Sequence, residues 1–325
     1  MAHPARGMPR KVITPRELPE AAARRAALLE QRRRIDAIVH ATPGGEHKAF
    51  GLATRASAAL LKQLLHATGQ YQRGRRNALN LHLRREEWAH PDLPPALDGM
   101  RILHLTDLHY GVDDLEFARA VEDLLDGIET DLCLITGDYR FGHVGPLHHV
   151  RERLSKLLPR IKARYGIFAT LGNHDTLDIL DGLEDTGLVL LVNEGREVGF
   201  NDHPVWIAGT DDSHSYQCAD IEAACDGAGE EHFIIAMVHT PEVVEEAAAR
   251  GVHLYLCGHT HGGQVRLPGV GALVTASHCA RRHVLGHWRH GRMLGLTSAG
   301  LGTTTVPVRF NCPPECHLIT LRRGG

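Results

Sequence analysis

From Met100 onward the chain reads as an α/β domain of layered, largely buried sheets, and three observations predict it. Short apolar runs alternate with helix-period stripes. The runs are continuous, as in strands covered on both faces. Five of them are followed at once by polar residues of metal-binding type, the pattern expected where strand ends line a crevice.

Strands are expected at 101–106 (RILHLT), 132–136 (LCLIT), 167–171 (IFATL), 205–208 (VWIA), 233–238 (FIIAMV) and 252–257 (VHLYLC). Phe117, Val121, Leu124, Leu125 and Ile128 form one helical stripe, and Leu147, Val150, Leu154, Leu157, Leu158 and Ile161 form another. Pro241 is placed to open a third helix and Gly251 to close it. Upstream, Thr14, Pro15 and Glu17 have the order of a helix start: a capping hydroxyl, a proline, then an acid. Leu28, Ile35, Ile38 and Val39 continue it until Gly44 and Gly45; Ala53, Ala56, Leu60, Leu61, Leu64 and Leu65 then make a second amphipathic stretch. The expected organisation is a basic helical N-terminal arm with a Pro-rich connector over residues 1–92, then the main domain over 93–325.

At 43% hydrophobic and 23% charged, the 325 residues are those of a globular protein and exclude a disordered one. Charge is uneven, with 17 Lys and Arg against 7 Asp and Glu in residues 1–90 and an acidic remainder. Arg32, Arg33, Arg34, Arg73, Arg75 and Arg76 are expected on solvated helix faces. They lack the interleaved aromatics of a nucleic-acid module. An apolar stripe beside a basic face fits a peripheral contact with an anionic membrane better. Seven scattered cysteines argue against a secreted disulfide framework and for a reducing, cytoplasmic location, with the arm as the contact to the inner membrane face. Cys133 and Cys257 read as buried strand residues, and Cys312 with Cys316 makes a poor zinc site without a second pair. No apolar run reaches the ~18 residues of a membrane span, and Met1 to Arg10 lacks the apolar core of a signal peptide.

The polar residues at the strand ends carry the chemistry. Asp107 and His109 follow the first strand, Asp138 the second, Asn173 and His174 the third, His239 the fifth, and His259 and His261 the sixth. Gly137, Gly172 and Gly258 stand between a strand and its polar residue, where the backbone turns and approaches a bound group without a Cβ in the way. Singly, each residue is ordinary for a turn, a cap or a core. Together, with His174 set apart, they supply seven ligands, more than a closed tetrahedral zinc site uses. Seven suit two divalent ions sharing one carboxylate, ~3.5 to 4 Å apart, around a bridging hydroxide that attacks phosphorus in line. Carboxylate and imidazole donors favour Mn, Fe or Zn. His143, His148, His149, His203 and His214 read as surface histidines.

The ordered motifs "DLH", "GD", "GNHD", "H" and "GHTHGG" resemble the calcineurin-like metallophosphoesterases, over about residues 98 to 325. "GTDD" at 209–212, "HTPE" at 239–242, "SAGLGTTTVPVRF" and "PPE" are similar to a subgroup that includes bacterial phosphodiesterases and UDP-2,3-diacylglucosamine pyrophosphatases. The resemblance implies a four-layer α-β-β-α sandwich of two mixed sheets, with a dinuclear site on loops at one edge. It implies that Asp107, His109 and His261 hold one ion, Asn173, His239 and His259 the other, and that Asp138 bridges them. His174 would protonate the leaving oxygen or stabilise phosphoryl charge, with Asp175 orienting its ring, and the substrate would be a phosphodiester, pyrophosphate or phosphomonoester. A lipid-directed UDP-diacylglucosamine pyrophosphatase docked on membranes by the arm is the narrower alternative. Ala299 departs from the subgroup, whose closing motif carries an arginine there that could help neutralise substrate phosphate. A non-catalytic metal-binding scaffold is the reading of another class; such scaffolds lose ligands, and none is missing here.

Overall fold

Continuous apolar strands can pack on both faces, and in a computed structural model of the chain they do. The structure describes residues 19–41, 48–143, 146–181, 183, 186–272, 275 and 277–324. Thr14, Pro15, Glu17, Gly44 and Gly45 lie outside the described residues. In chain order the main strands are β1 (His82–His90), β2 (Arg101–Leu105), β3 (Leu132–Thr136), β4 (Ile167–Thr170), β5 (Leu188–Leu190) and β6 (Glu194–Phe200). They continue with β7 (His203–Gly209), β8 (Phe233–Met237), β9 (Leu254–Cys257), β10 (Gly286–His290), β11 (Met293–Thr297) and β12 (Glu315–Arg323). One six-stranded sheet has the order β1-β12-β2-β3-β4-β5, the other β10-β11-β9-β8-β7-β6. Both are mixed: β2, β3, β4 and β5 run parallel while β12 is antiparallel to β2, and β7, β8, β9 and β11 run parallel between antiparallel edges.

Alternate residues along each central strand divide between two cores. Ile102, Leu134 and Phe168 of the first sheet meet Ile207, Ile235 and Leu256 of the second in a core between the sheets. Leu103, Ile135 and Ala169 point the other way, against α4 (Leu115–Leu125) and α5 (His148–Leu157) through Phe117, Val121, Val150 and Leu154. Ala236, Tyr255 and Cys257 pack outward on α6 (Ile221–Ala224) and α7 (Val244–Ala249). The result is the expected four-layer α-β-β-α sandwich.

Three differences from the sequence reading have physical causes. The third helix begins at Val244 rather than Pro241. Glu242 is held in the preceding turn, where its carboxylate accepts from His214, Ser277 and the His278 amide. The arm contains α1 (Pro19–Ala41), α2 (Lys48–Ala67) and α3 (Tyr71–Leu79), but β1 lies upstream of the connector and pairs in parallel with β12 over nine positions. Its consecutive Arg84, Arg85, Glu86 and Glu87 break the continuous apolar signature of a central strand. Arg32 is 1% exposed rather than solvated. Among the described residues no helix is long and apolar enough to cross a membrane.

Candidate metal centre

All seven proposed ligands sit just beyond the carboxyl ends of β2, β3, β4, β8 and β9, and all are buried, none more than 7% exposed. Asp107, His109 and His261 bring one donor atom each within 4.8 Å of one another, as do Asp138, His239 and His259. Asn173 joins the second group: its Oδ1 lies 3.1 Å from His239 Nε2 and 2.9 Å from His259 Nδ1. Asp138 Oδ2 stands 3.3 Å from both His109 Nε2 and His239 Nε2, between the two groups.

The backbone explains how ligands so far apart in sequence converge. Asp107, His109, Asp138, His259 and His261 all adopt positive φ, a costly conformation for side chains with a Cβ that persists only where surrounding structure enforces it. Neighbouring glycines allow the crowding. A Cβ on Gly172 would lie 2.2 Å from Asp138 Oδ1, and one on Gly258 2.1 Å from Asp107 Oδ2.

The donor set fits metal ions. His109 Nδ1 donates to the Arg140 carbonyl (3.0 Å) and His239 Nδ1 to that of Thr136 (2.7 Å), which turns each Nε2 lone pair inward. Those inward nitrogens approach other ring nitrogens: His109 Nε2 lies 3.0 Å from His261 Nε2, and His239 Nε2 lies 3.3 Å from His259 Nδ1. Lone pairs so placed repel unless a cation or proton lies between them. Burial opposes charge on His109 and His239, but Asp107 and Asp138 outweigh it, raising His109 to about 9 and Asp138 chiefly raising His239 to about 10. Burial, reinforced by the charges of His109 and Arg309, takes His261 down to about 3 against the pull of Asp107. Both carboxylates stay well below the ordinary range because the imidazoles overcome the cost of burial.

His174 occupies the rim, its side chain 11% exposed and its Nε2 3.9 Å from Asp138 Oδ2. The ring stacks on His143 (centroids 3.9 Å apart) and stands edge-on to His109 (4.7 Å). Burial holds it well below the ordinary histidine range despite Asp138, so the ring is neutral. The expectation that Asp175 orients this ring is corrected. Its carboxylate accepts instead from the amides of Asp138 (2.6 Å), Tyr139 (3.0 Å) and Gly172 (2.9 Å). Asp175 therefore joins the Asp138 loop to the Gly172 loop, and burial followed by the Asp138 charge raises it to about 6.

Of the five histidines read as surface residues, His149 is instead buried, its Nε2 against the Tyr110 carbonyl (3.1 Å), while the exposed His143 and the half-buried His214 adjoin the centre. His143 covers His174, and His214 lies 4.5 Å from the His259 ring while its Nδ1 donates to Glu242 (2.9 Å). Despite burial, hydrogen bonds from His214 and the His278 amide hold Glu242 at about 2. No periodicity marks these residues; position after a strand end was the available signal. Behind the first ligand group, Arg309 is fully buried and donates to the carbonyls of Ala299 (2.7 Å), Gly300 (3.0 Å) and Cys312 (3.3 Å). Ala299 itself is buried, with its carbonyl committed to that arginine. All seven cysteines are free of disulfides.

Residues 100–263 match the family described as calcineurin-like phosphoesterase. The chain is 28% identical over 237 residues to an uncharacterized metallophosphoesterase, YkuE, of Bacillus subtilis (strain 168), covering 71% of this chain and 82% of that one. It is 30% identical over 230 residues to the phosphodiesterase YaeI of Escherichia coli (strain K12), covering 68% and 82%. Among solved structures it is similar to a 5'-nucleotidase precursor from Thermus thermophilus, at 15% identity and a TM-score of 0.39, covering 68% of this chain and 54% of that one. The chain belongs to the calcineurin-like phosphoesterases and is a metal-dependent hydrolase of phosphoesters.

Proposed function

We propose that the protein is a phosphodiesterase in which Asp107, His109 and His261 hold one divalent ion, Asn173, His239 and His259 hold a second, and Asp138 serves both. The observation that carries this reading is the convergence of seven buried donors whose lone pairs face one another. Mixed carboxylate and imidazole donors suit Mn, Fe or Zn. When bound, such ions supply Lewis acidity toward phosphoryl oxygens and a nucleophile from water at neutral pH. The remaining work falls to the chain. His174, at the rim and neutral, is placed to donate an N–H hydrogen bond that stabilises charge on the leaving oxygen, while Asp175 keeps the Asp138 and Gly172 loops in register.

A diester is favoured over a monoester by the similarity to the phosphodiesterase YaeI, and pyrophosphate is the neighbouring alternative. Purified protein supplied with Mn should hydrolyse bis(p-nitrophenyl) phosphate. His174→Ala should lower kcat by ~10²- to 10³-fold. Asp138→Asn should lower kcat/KM by more than ~10²-fold, since even the partners of metal ligands are worth 10- to 100-fold. Activity that survives both substitutions unchanged sinks the reading.

The narrower reading, an amphiphilic pyrophosphate or diester met at a membrane, has one feature in its favour. A cavity of ≈ 500 Å³ opens beside His109 and is lined by Lys62 and Arg75 of the arm together with Phe117, Phe141, Leu301 and Pro307. Leu60 and Leu64 of α2 are 70% and 58% exposed, an apolar face on the side of that helix opposite Lys62. Hydrolysis of a UDP-linked diacyl sugar at a rate matching the soluble aryl diester supports it. Failure on every lipid-linked substrate removes it.

A further inference from the structure

Arg32 stands on α1 between exposed neighbours, yet its own side chain is buried in a site built from three parts of the chain. Nε donates to Asp36 of the same helix (2.9 Å), Nη1 to Asp211, and Nη2 to the carbonyl of Asp175 (2.8 Å). The guanidinium lies 3.7 Å over the ring of Tyr216. Asp36 uses its other oxygen to accept from the Leu177 amide (3.0 Å). Asp175 and Leu177 belong to the loop after β4 in the first sheet. Asp211 and Tyr216 belong to the loop after β7 in the second.

Both loops reach the metal centre within a residue or two of these contacts. Asp175 follows His174 and grips the Asp138 amide. Asp212, beside Asp211, accepts from the amides of His214, Ser215 and Tyr216 and so sets the segment that places His214 against His259. A rigid planar fork suits the task, because its donors point in fixed directions.

We propose that Arg32 is a positioning residue for the phosphoesterase site: through this one side chain, α1 sets the spacing between the His174–Asp175 loop of one sheet and the Asp211–Tyr216 loop of the other. The role rests on the phosphodiesterase reading for its catalytic consequence, but its geometry does not. Burial opposes the charge on Arg32, and Asp211 with Asp36 overcomes it, so the cation persists. Without it, Asp36 of α1 and Asp211 of the loop after β7 would both be left as buried carboxylates lacking their cation, a cost that loosens α1 from that loop and removes the bridge between the two loops.

The test uses the full chain, loaded with Mn, as Arg32→Ala and Arg32→Lys. Each should lower kcat on bis(p-nitrophenyl) phosphate by ~10²-fold, the cost of a small misplacement of reacting groups, with bound Mn per chain unchanged. Hydrogen exchange should quicken at 137–140 and 210–216 and stay the same across β8 and β9. Guanidinium at millimolar concentration should partly restore Arg32→Ala, which a general loss of folding would not allow. If the alanine variant does not fold, the lysine variant decides. Wild-type kcat with wild-type exchange in Arg32→Lys overturns the proposal, and so does exchange that quickens evenly throughout the chain. Should the wild type hydrolyse no phosphoester, the phosphodiesterase reading falls while the local exchange pattern still decides the role of Arg32.

Discussion

The ligand loops and the N-terminal arm are held by opposite kinds of constraint. In the loops the constraint is dense packing within a few ångströms of the ligands: a glycine against a ligand carboxylate from another loop, positive φ at five ligands, and a carboxylate gripping backbone amides. The arm is held by a few contacts between distant parts of the chain. Arg32 reaches Asp175 and Asp211, Asn77 Nδ2 donates to the Arg309 carbonyl (2.9 Å), and Gly74 lies so close to Val308 that a Cβ there would come within 2.7 Å of it. Dense packing fixes atoms finely and fails abruptly. Long-range contacts set distances between finished pieces and fail by degrees, so substitutions in the two regions should differ in size as well as in kind.

The sharpest break should come from Gly172→Ala or Gly258→Ala, where the added methyl meets a ligand carboxylate rather than a yielding side chain. Bound metal per chain should collapse and kcat/KM fall by more than ~10²-fold. Full metal content in either variant would show that the loops are looser than described. Next comes pH. In the metal-free protein, His109 at about 9 and His239 at about 10 carry protons at neutral pH, so ions must displace them. Affinity for Mn should rise with pH until about 9 to 10, by up to ~10-fold per pH unit for each proton displaced, and fall as pH drops. Calorimetry in two buffers of different ionisation heat checks this; equal heats would mean that no proton leaves.

Smaller effects are expected farther out. His214→Ala removes a ring that touches a ligand without being one of the seven, and should lower kcat/KM by ~10-fold with metal retained. Loss of metal instead would place His214 inside the metal-binding set. Smallest is Leu60→Ser with Leu64→Ser, which should leave hydrolysis of the soluble diester within about two-fold, as exposed surface changes generally do to a fold. Its readout is reduced partitioning onto anionic liposomes, and equal partitioning would detach the arm from any membrane role.

The same contrast explains what the sequence made legible. The six strands read from apolar runs are the three neighbouring inner strands β2, β3 and β4 of one sheet and β7, β8 and β9 of the other. Buried on both faces, they could not hide. The outer strands β1 and β10 carry Arg, Glu or His at most of their positions and resemble loops or helix faces in isolation. The seven proposed ligands could be named because each follows the end of one of five strands within a few residues. For Asp175 the sequence misleads, because adjacency to His174 suggests a contact that the turn does not make. Arg32 is hidden for the opposite reason: nothing nearby announces a partner 179 positions away.

The slot between β1 and β2 is filled by β12, the final strand of the chain. On the ribosome, β1 therefore emerges with no neighbour to join and must wait until β12 has been made; Arg84 and its partner Glu315 are 231 positions apart. A stop codon just before Glu315 would remove β12, leave β1 without its partner and expose the flank of β2, so such a truncated chain should be a poor product for the cell to keep.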